Sequence, residues 1–312
     1  MDLADGRVSW HRGLPLPYEL ALAISVSGCR STGYILAARG INGPSALIPF
    51  SVVSGDMGVP IPFAGSPGAV AISWPEEMAY VANSGNLVGL VAAPPEDSVT
   101  PVDLRLRRAL RPVAVGGDPG GITLAPGTST LLVSLLGPES LVPISTRSRT
   151  VGVPIRIPTP SDQVGQTVPG PVTVDGTDGV ALVGNLQEDL GQPAAVLNVV
   201  DLKSRRTEAA IPLGGRYRGS GELISVPGER SVVDVGAGLV TIVSLSTRSA
   251  TATVPGFGVA AGPGGRTLYV EQHGPGSAAR LVSISAASGM VERTIAPLPA
   301  TSGALAVGPW RT

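Results

Sequence analysis

The sequence predicts an all-β chain of short four-stranded antiparallel sheets packed radially about an axis. Three observations predict it: a breaker content that forbids long helices, a hydrophobic content too high for disorder, and a unit of apolar strands and turns that recurs along the chain. Glycine (42) and proline (30) make up nearly a quarter of the 312 residues. Inside a helix each costs roughly 1 to 3 kcal/mol. Hydrophobic residues at 43% and a net charge of −1 exclude disorder, which needs low hydrophobicity or high charge.

The unit is clearest at Gly68-Ala69-Val70-Ala71-Ile72-Ser73-Trp74-Pro75, an apolar run followed by a turn. Similar starts occur at Leu20–Gly28, Gly121–Gly127, Pro171–Gly176, Gly221–Gly228, Gly258–Gly265 and Gly303–Pro309, seven in all. A second strand follows each of the first six, as at Met78–Ala82, Thr130–Leu135, Val180–Gly184, Ser231–Val235 and Thr267–Glu271. Third strands are read at Leu47–Ser51, Val99–Asp103, Leu141–Ser145, Leu197–Asp201, Val240–Ser244 and Leu281–Ser285, and fourth strands at Gly58–Pro62 and Gly152–Arg156. One such sheet cannot bury both its faces. Radial packing buries them and leaves only short, protected edges. The small residues of Val70–Ile72 and Gly258–Ala261 suit the crowded strand next to the axis. The prolines of the third and fourth strands cannot donate a ladder bond and place those strands outside.

The expectation is a seven-bladed β-propeller forming one domain over residues 1–312, with six blades the alternative. The last start, Ala306-Val307-Gly308-Pro309, aligns with Ala260-Ala261-Gly262-Pro263. Near the other terminus, Leu14-Pro15-Leu16-Pro17 resembles the fourth-strand ending Ala296-Pro297-Leu298-Pro299. The seventh blade is therefore expected to combine the N- and C-terminal segments.

Two strings carry a family resemblance. Ser98-Val99-Thr100-Pro101-Val102-Asp103, followed by Arg111-Pro112-Val113-Ala114-Val115-Gly116-Gly117-Asp118-Pro119-Gly120-Gly121, resembles the repeat of YVTN-type β-propellers. Ala79-Tyr80-Val81-Ala82-Asn83-Ser84-Gly85 matches the motif that names the family, and Leu268-Tyr269-Val270 matches it in part. The resemblance spans about the whole chain and is strong in the second and third units. The fourth and fifth have lost the signature dipeptides. It implies either non-catalytic binding of a ligand or protein, or lactonase- or lyase-like chemistry of the kind found in related propellers. These motifs specify turns and pleats rather than chemistry.

Charge and rare residues exclude several functions. The 22 basic and 23 acidic residues form no run of either sign, so the basic stripe that nucleic-acid binding needs is not expected. Cys29 is the only cysteine, which rules out an intrachain disulfide and a thiolate zinc cluster. His11 and His273 are the only histidines. No metal or other cofactor is expected. No apolar stretch reaches the ~18 residues of a membrane span. The first residues are not a signal peptide. The chain is expected to be cytoplasmic, or extracytoplasmic or secreted if a leader was removed before Met1, and monomeric.

Ligands of propellers usually sit where the connections from strand two to three and from strand four to one converge on the axis. The candidate ligand-binding residues on that face are Arg39, Asn83, Asn185, Arg216, Tyr217 and Arg218. The candidate catalytic pair is Glu271 and His273. A histidine beside a carboxylate suits proton transfer near neutrality; the other reading of Glu271-Gln272-His273 is a solvated loop. Arg216 and Arg218 flank a phenol between glycines and suit a carboxylate or phosphate. Asn83, Asn185 and Gln272 occupy matching ends of strand two, where an amide either lines a funnel or caps a turn. Glu188, Asp189 and Asp162 match no calcium loop. The expected partner is a small molecule or a protein at the axial face. The opposite end, with short turns such as Trp74–Glu77, is expected to offer little.

Overall fold

In a computed structural model the chain is described over residues 12–27, 30–40, 43–84, 97–158, 167–176, 179–187, 196–213, 222–226, 231–236, 238–273, 279–298 and 305–307. These residues form 25 strands in six antiparallel sheets, each a meander in sequence order. Blade 1 holds β1 (Leu20–Val26), β2 (Thr32–Ala38), β3 (Ser45–Ser51) and β4 (Ile61–Phe63). Blade 2 holds β5 (Pro67–Ser73), β6 (Met78–Asn83), β7 (Ser98–Asp103) and a divided outer strand, β8 (Arg108–Ala109) and β9 (Val113–Ala114), both paired with β7. Blade 3 holds β10 (Pro119–Leu124), β11 (Thr130–Leu135), β12 (Ser140–Ser145) and β13 (Ile155–Arg156). Blade 4 holds β14 (Thr167–Asp175), β15 (Val180–Gln187), β16 (Val196–Asp201) and β17 (Arg206–Pro212). Blade 5 holds β18 (Glu222–Ser225), β19 (Ser231–Gly236), β20 (Leu239–Ser244) and β21 (Ser249–Pro255). Blade 6 holds β22 (Gly258–Ala261), β23 (Thr267–His273), β24 (Ala279–Ser285) and β25 (Val291–Leu298).

The innermost strands touch in succession, β1 to β5, β10, β14, β18 and β22. Apolar clusters fill each gap between consecutive blades. Leu47, Ile61 and Val81 join blades 1 and 2, and Leu182, Leu197 and Val243 join blades 4 and 5. A sixth cluster lies on the face of blade 1 turned away from blade 2. There Ile35, Ile48 and Phe50 are covered in part by Leu14 and Tyr18 of the N-terminal segment.

The architecture is thus a propeller of six blades, not seven. The seventh start reaches only Leu305–Val307 among the described residues, and these form no strand. Residues 12–19 form none either. The N-terminal segment reaches blade 1 through side chains rather than through a ladder. Residues 305–307 pair with no second strand among the described residues.

Proline position controls the outer strands. Pro49, Pro101 and Pro143 occupy one register of strand three, opposite Tyr34, Tyr80 and Leu132. A proline has no N–H to give, so the ladder is broken there. The outer strands of blades 1 and 3 shrink to 3 and 2 residues, and that of blade 2 is split. Blades 4, 5 and 6 lack this proline, and their outer strands run 7, 7 and 8 residues.

The turns between strands three and four share one design. A Ser or Asp side chain accepts from the backbone three residues on, as in Leu106 N to Asp103 Oδ1 at 2.7 Å and Ser148 N to Ser145 Oγ at 3.2 Å. The fifth residue of the turn adopts a left-handed conformation. Blades 1 and 6 use Gly55 (φ 75°) and Gly289 (φ 67°) there, but blades 2 to 5 use Arg107 (54°), Arg149 (57°), Arg205 (60°) and Arg248 (51°). A side chain in that region costs roughly 1 to 2 kcal/mol, so the arginines need a compensating contact.

Candidate functional site

At the axial end, strand register places the sequence candidates at the tops of second strands. Asn83 ends β6 and is buried; its Nδ2 donates to Ser98 Oγ at 3.0 Å and Thr100 Oγ1 at 2.8 Å. Asn185 is also buried and accepts from Asn198 Nδ2 at 3.0 Å. Each amide uses one of its two polar ends on the neighbouring third strand inside its own blade. Asn83 Oδ1 and Asn185 Nδ2 have no partner among the described residues. Arg39 follows β2 and is exposed. Arg216, Tyr217, Arg218, Asp162, Glu188 and Asp189 lie outside the described residues, as do Cys29 and His11.

Glu271 and His273 do form a pair. His273 Nε2 lies 2.6 Å from Glu271 Oε1. They sit two residues apart on β23, so both side chains share one face of the strand. Glu271 is 1% exposed, and Gly258 opposite it on β22 has no side chain to crowd it. The imidazole remains partly exposed and lies against the Phe257 ring, with centroids 4.4 Å apart. Gln272 points the other way, with Nε2 on Pro255 O at 3.0 Å and Oε1 accepting from Arg280 at 3.2 Å. The strand therefore continues to His273, and the pair is built on a rigid element rather than on a solvated loop.

Two carboxyls at the same end have altered acidity. Burial pushes Glu222, the first residue of the inner strand β18, up to about 7. Burial, followed by the charge of Asp97, pushes Asp118 up to about 6. Glu222 was not picked out, although the signal existed: it is an acid at the start of an inner strand where other repeats carry Gly, Ala or Pro.

The opposite end is richer than its short turns promised. A cavity of about 400 Å³ opens between blades 1 and 2. Arg30 crosses it from the first turn of blade 1, giving Nη1 to Glu77 Oε1 at 2.7 Å and Nη2 to the Trp74 carbonyl at 3.2 Å. Tyr34 and Trp74 line it with ring centroids 5.9 Å apart, and Arg105 lies on its wall. The Tyr34 phenol is raised by burial, against the opposing charges of Arg107 and Arg30.

Exposed apolar side chains run from this end along the outer edges of the blades, where Gly58 and Gly152 donate to the Pro49 and Pro143 carbonyls of strand three. Among the described residues, Val53, Val59, Leu106, Val151, Val153 and Met290 are large hydrophobics left open on the connections between strands three and four. Arginines of the next blade lie between them. Arg107 Nη2 donates to the Val59 carbonyl, and Arg205 Nη2 to the Val153 carbonyl. Arg248 Nη2 donates to Glu208 Oε2 at 3.0 Å. No group of three or more metal-ligating side chains occurs among the described residues, and no helix is long and apolar enough to cross a membrane.

These features define a β-propeller, and solved structures share it. The chain is similar to the WD40 repeats of RRP9, with TM-score 0.71 and 15% identity over 98% of this chain and 87% of that one. It is similar to U3-55K, with TM-score 0.70 and 14% identity over 98% and 88%. It is also similar to hydrazine synthase of Kuenenia stuttgartiensis, with TM-score 0.69 and 16% identity over 87% and 78%. At these identities the likeness is one of fold. No protein-family model matches the sequence, and no curated protein matches it.

Proposed function

We propose that the chain is a non-catalytic, protein-binding propeller of the YVTN type, which holds its partner at the turn end of blades 1 to 4. The observation that carries this reading is the mixed rim of exposed apolar side chains and arginines there. Val59 is 73% exposed and Leu106 51%, and both flank the arginine contact between blades 1 and 2. Arginine is enriched at protein interfaces and among the residues that carry their binding energy, and the exposed valines and leucine beside it add apolar area that a partner can bury. Similarity in fold to WD40 repeats supports a scaffold role. The YVTN assignment rests on Ala79-Tyr80-Val81-Ala82-Asn83 and its repeat context.

An enzymatic reading needs the axial groups to converge on one pocket. Asn83 and Asn185 are instead tied inside separate blades. The Glu271–His273 contact, with Glu222 and Asp118 pushed up by burial at the same end, is what favours chemistry there among the described residues.

The test is affinity capture from cells with three forms of the protein. Val59→Glu combined with Leu106→Glu is expected to lose the partner, while His273→Ala keeps it. Capture that survives the double substitution, or is lost with His273→Ala alone, overturns the reading. Hydrolysis of a lactone panel that disappears in His273→Ala would establish the enzymatic alternative.

A further inference from the structure

We infer that the cavity between blades 1 and 2 is a carboxylate-binding pocket, which takes an acidic side chain of a partner peptide whose neighbouring apolar residue rests on Val59 and Leu106. The inference rests on the protein-binding reading of this end and names the chemistry that the partner presents.

Charge comes first. Of the charged residues that line the cavity, Arg30 and Arg105 are cationic and Glu77 is acidic, so the lining carries one positive charge in excess. Glu77 already occupies one edge of the Arg30 guanidinium, and the Trp74 carbonyl occupies another. Arg105 is exposed, and no acceptor among the described residues pairs with it. Its fork of donors is therefore available to a second carboxylate. Ser31 and Thr32 of blade 1 also line the cavity.

Backbone conformation points the same way. Glu77 has φ 52°, where the matching turn of blade 4 uses Gly179 at 67°. A glutamate is thus held in a glycine conformation, and its carboxylate fixes Arg30 across the blade boundary. That pair holds the Arg30 wall in place before any ligand arrives, which lowers the cost of binding. Tyr34 and Trp74 supply an apolar wall for the methylenes that carry an acidic head.

A peptide fits better than a free anion because the pocket is not isolated. Leu106 directly follows Arg105 of the cavity lining and is exposed, and Arg107 of the same turn donates to the carbonyl of the exposed Val59. An acidic residue flanked by a leucine-sized one meets both.

The test is fluorescence anisotropy with a fluorescein-labelled eight-residue peptide alternating Glu and Leu, beside Gln–Leu and Lys–Leu controls. The Glu–Leu peptide is expected to bind at least about tenfold more tightly than the Gln–Leu one, since a charged hydrogen bond is worth about 1.5 to 3 kcal/mol. Arg105→Glu is expected to weaken it by about tenfold or more and to leave the melting temperature unchanged. Raising salt from about 50 to 500 mM should weaken it further, because such pairs are screened. Equal binding of the Gln–Leu peptide, unchanged binding by Arg105→Glu, or no binding at millimolar peptide overturns the pocket. Competition by free glutamate or phosphate as effective as the unlabelled peptide overturns the peptide assignment. If Val59→Glu with Leu106→Glu loses a captured partner while Arg105→Glu keeps it, the protein-binding reading stands and the carboxylate pocket falls.

Discussion

Arg107 of blade 2 donates through Nη2 to the carbonyl of Val59 in blade 1. The bond follows from two sequence features of different repeats. Pro49 interrupts the ladder of blade 1, so its outer segment is short and the Val59 carbonyl lies outside it. The turn of blade 2 places an arginine where a glycine would suit the backbone better. Arg205 and Val153 repeat the arrangement between blades 4 and 3. In blade 4 the outer strand pairs along its length except at a bulge that skips Glu208, and Arg248 of blade 5 takes the Glu208 carboxylate instead.

Two substitutions of Arg107 separate the bond from the backbone. Arg107→Ala loses the contact and keeps the left-handed strain, and is expected to lower stability by about 1 kcal/mol. Arg107→Gly loses the contact but relieves the strain, and is expected to fall within about 0.5 kcal/mol of the original. Urea denaturation of the two variants checks the order. An alanine form as stable as the glycine form would remove the argument about strain.

The axial carboxyls give a pH dependence of definite sign. Glu222 is raised to about 7 by burial, so between its unfolded value and 7 the folded state holds more protons than the unfolded one. Its contribution is fully present below about pH 4.5 and is lost as pH rises through 7. The loss is roughly 3 kcal/mol. Asp118 acts in the same direction over a lower window. Glu222→Gln is expected to be more stable than the parent at pH 8 and to lose the advantage near pH 4.5. Chemical denaturation at several pH values measures the difference.

Removing His273 has a structural consequence that its sequence neighbourhood did not reveal. Glu271 is 1% exposed and His273 is its side-chain partner. His273→Ala leaves that carboxylate buried without it, which is expected to cost about 1 to 3 kcal/mol. Glu271→Gln combined with His273→Ala should recover part of the loss. Thermal melts of the three forms check this, and any activity assay on His273→Ala must be read against its stability.

The N-terminal segment closes blade 1. Tyr18 is buried against the cluster of Ile35, Ile48 and Phe50. Tyr18→Ala is expected to cost about 2 to 4 kcal/mol, as large-to-small core changes do. Deleting residues 1–17 should also weaken the cooperative transition. An unchanged melt in both would show that blade 1 needs no cover.

Much of the fold was legible because it is periodic. The expected strand Thr130–Leu135 coincides with β11, and Met78–Ala82 and Ser231–Val235 fall one residue short of β6 and β19. The prolines of strand three marked its place beside the interrupted outer strand. The blade count was harder to read: Ala306-Val307 resembles an inner strand locally, and only the pairing among the described residues shows that it is not one. Site chemistry was less legible still. Asn83 and Asn185 look like rim residues in sequence, and only the register of strand three shows Thr100 and Asn198 beside them. The cavity at the turn end gathers Arg30, Trp74 and Arg105 from three separate turns. Each is an isolated, ordinary residue in the sequence.

Hydrogen exchange of the protein with and without its captured partner tests the central claim most directly. A partner held at the turn end is expected to protect residues 51–60, 103–108 and 145–153, leaving residues 36–40 and 271–273 at their free rates. Protection confined to the axial ends of the second strands, with the turns between strands three and four unchanged, would contradict it.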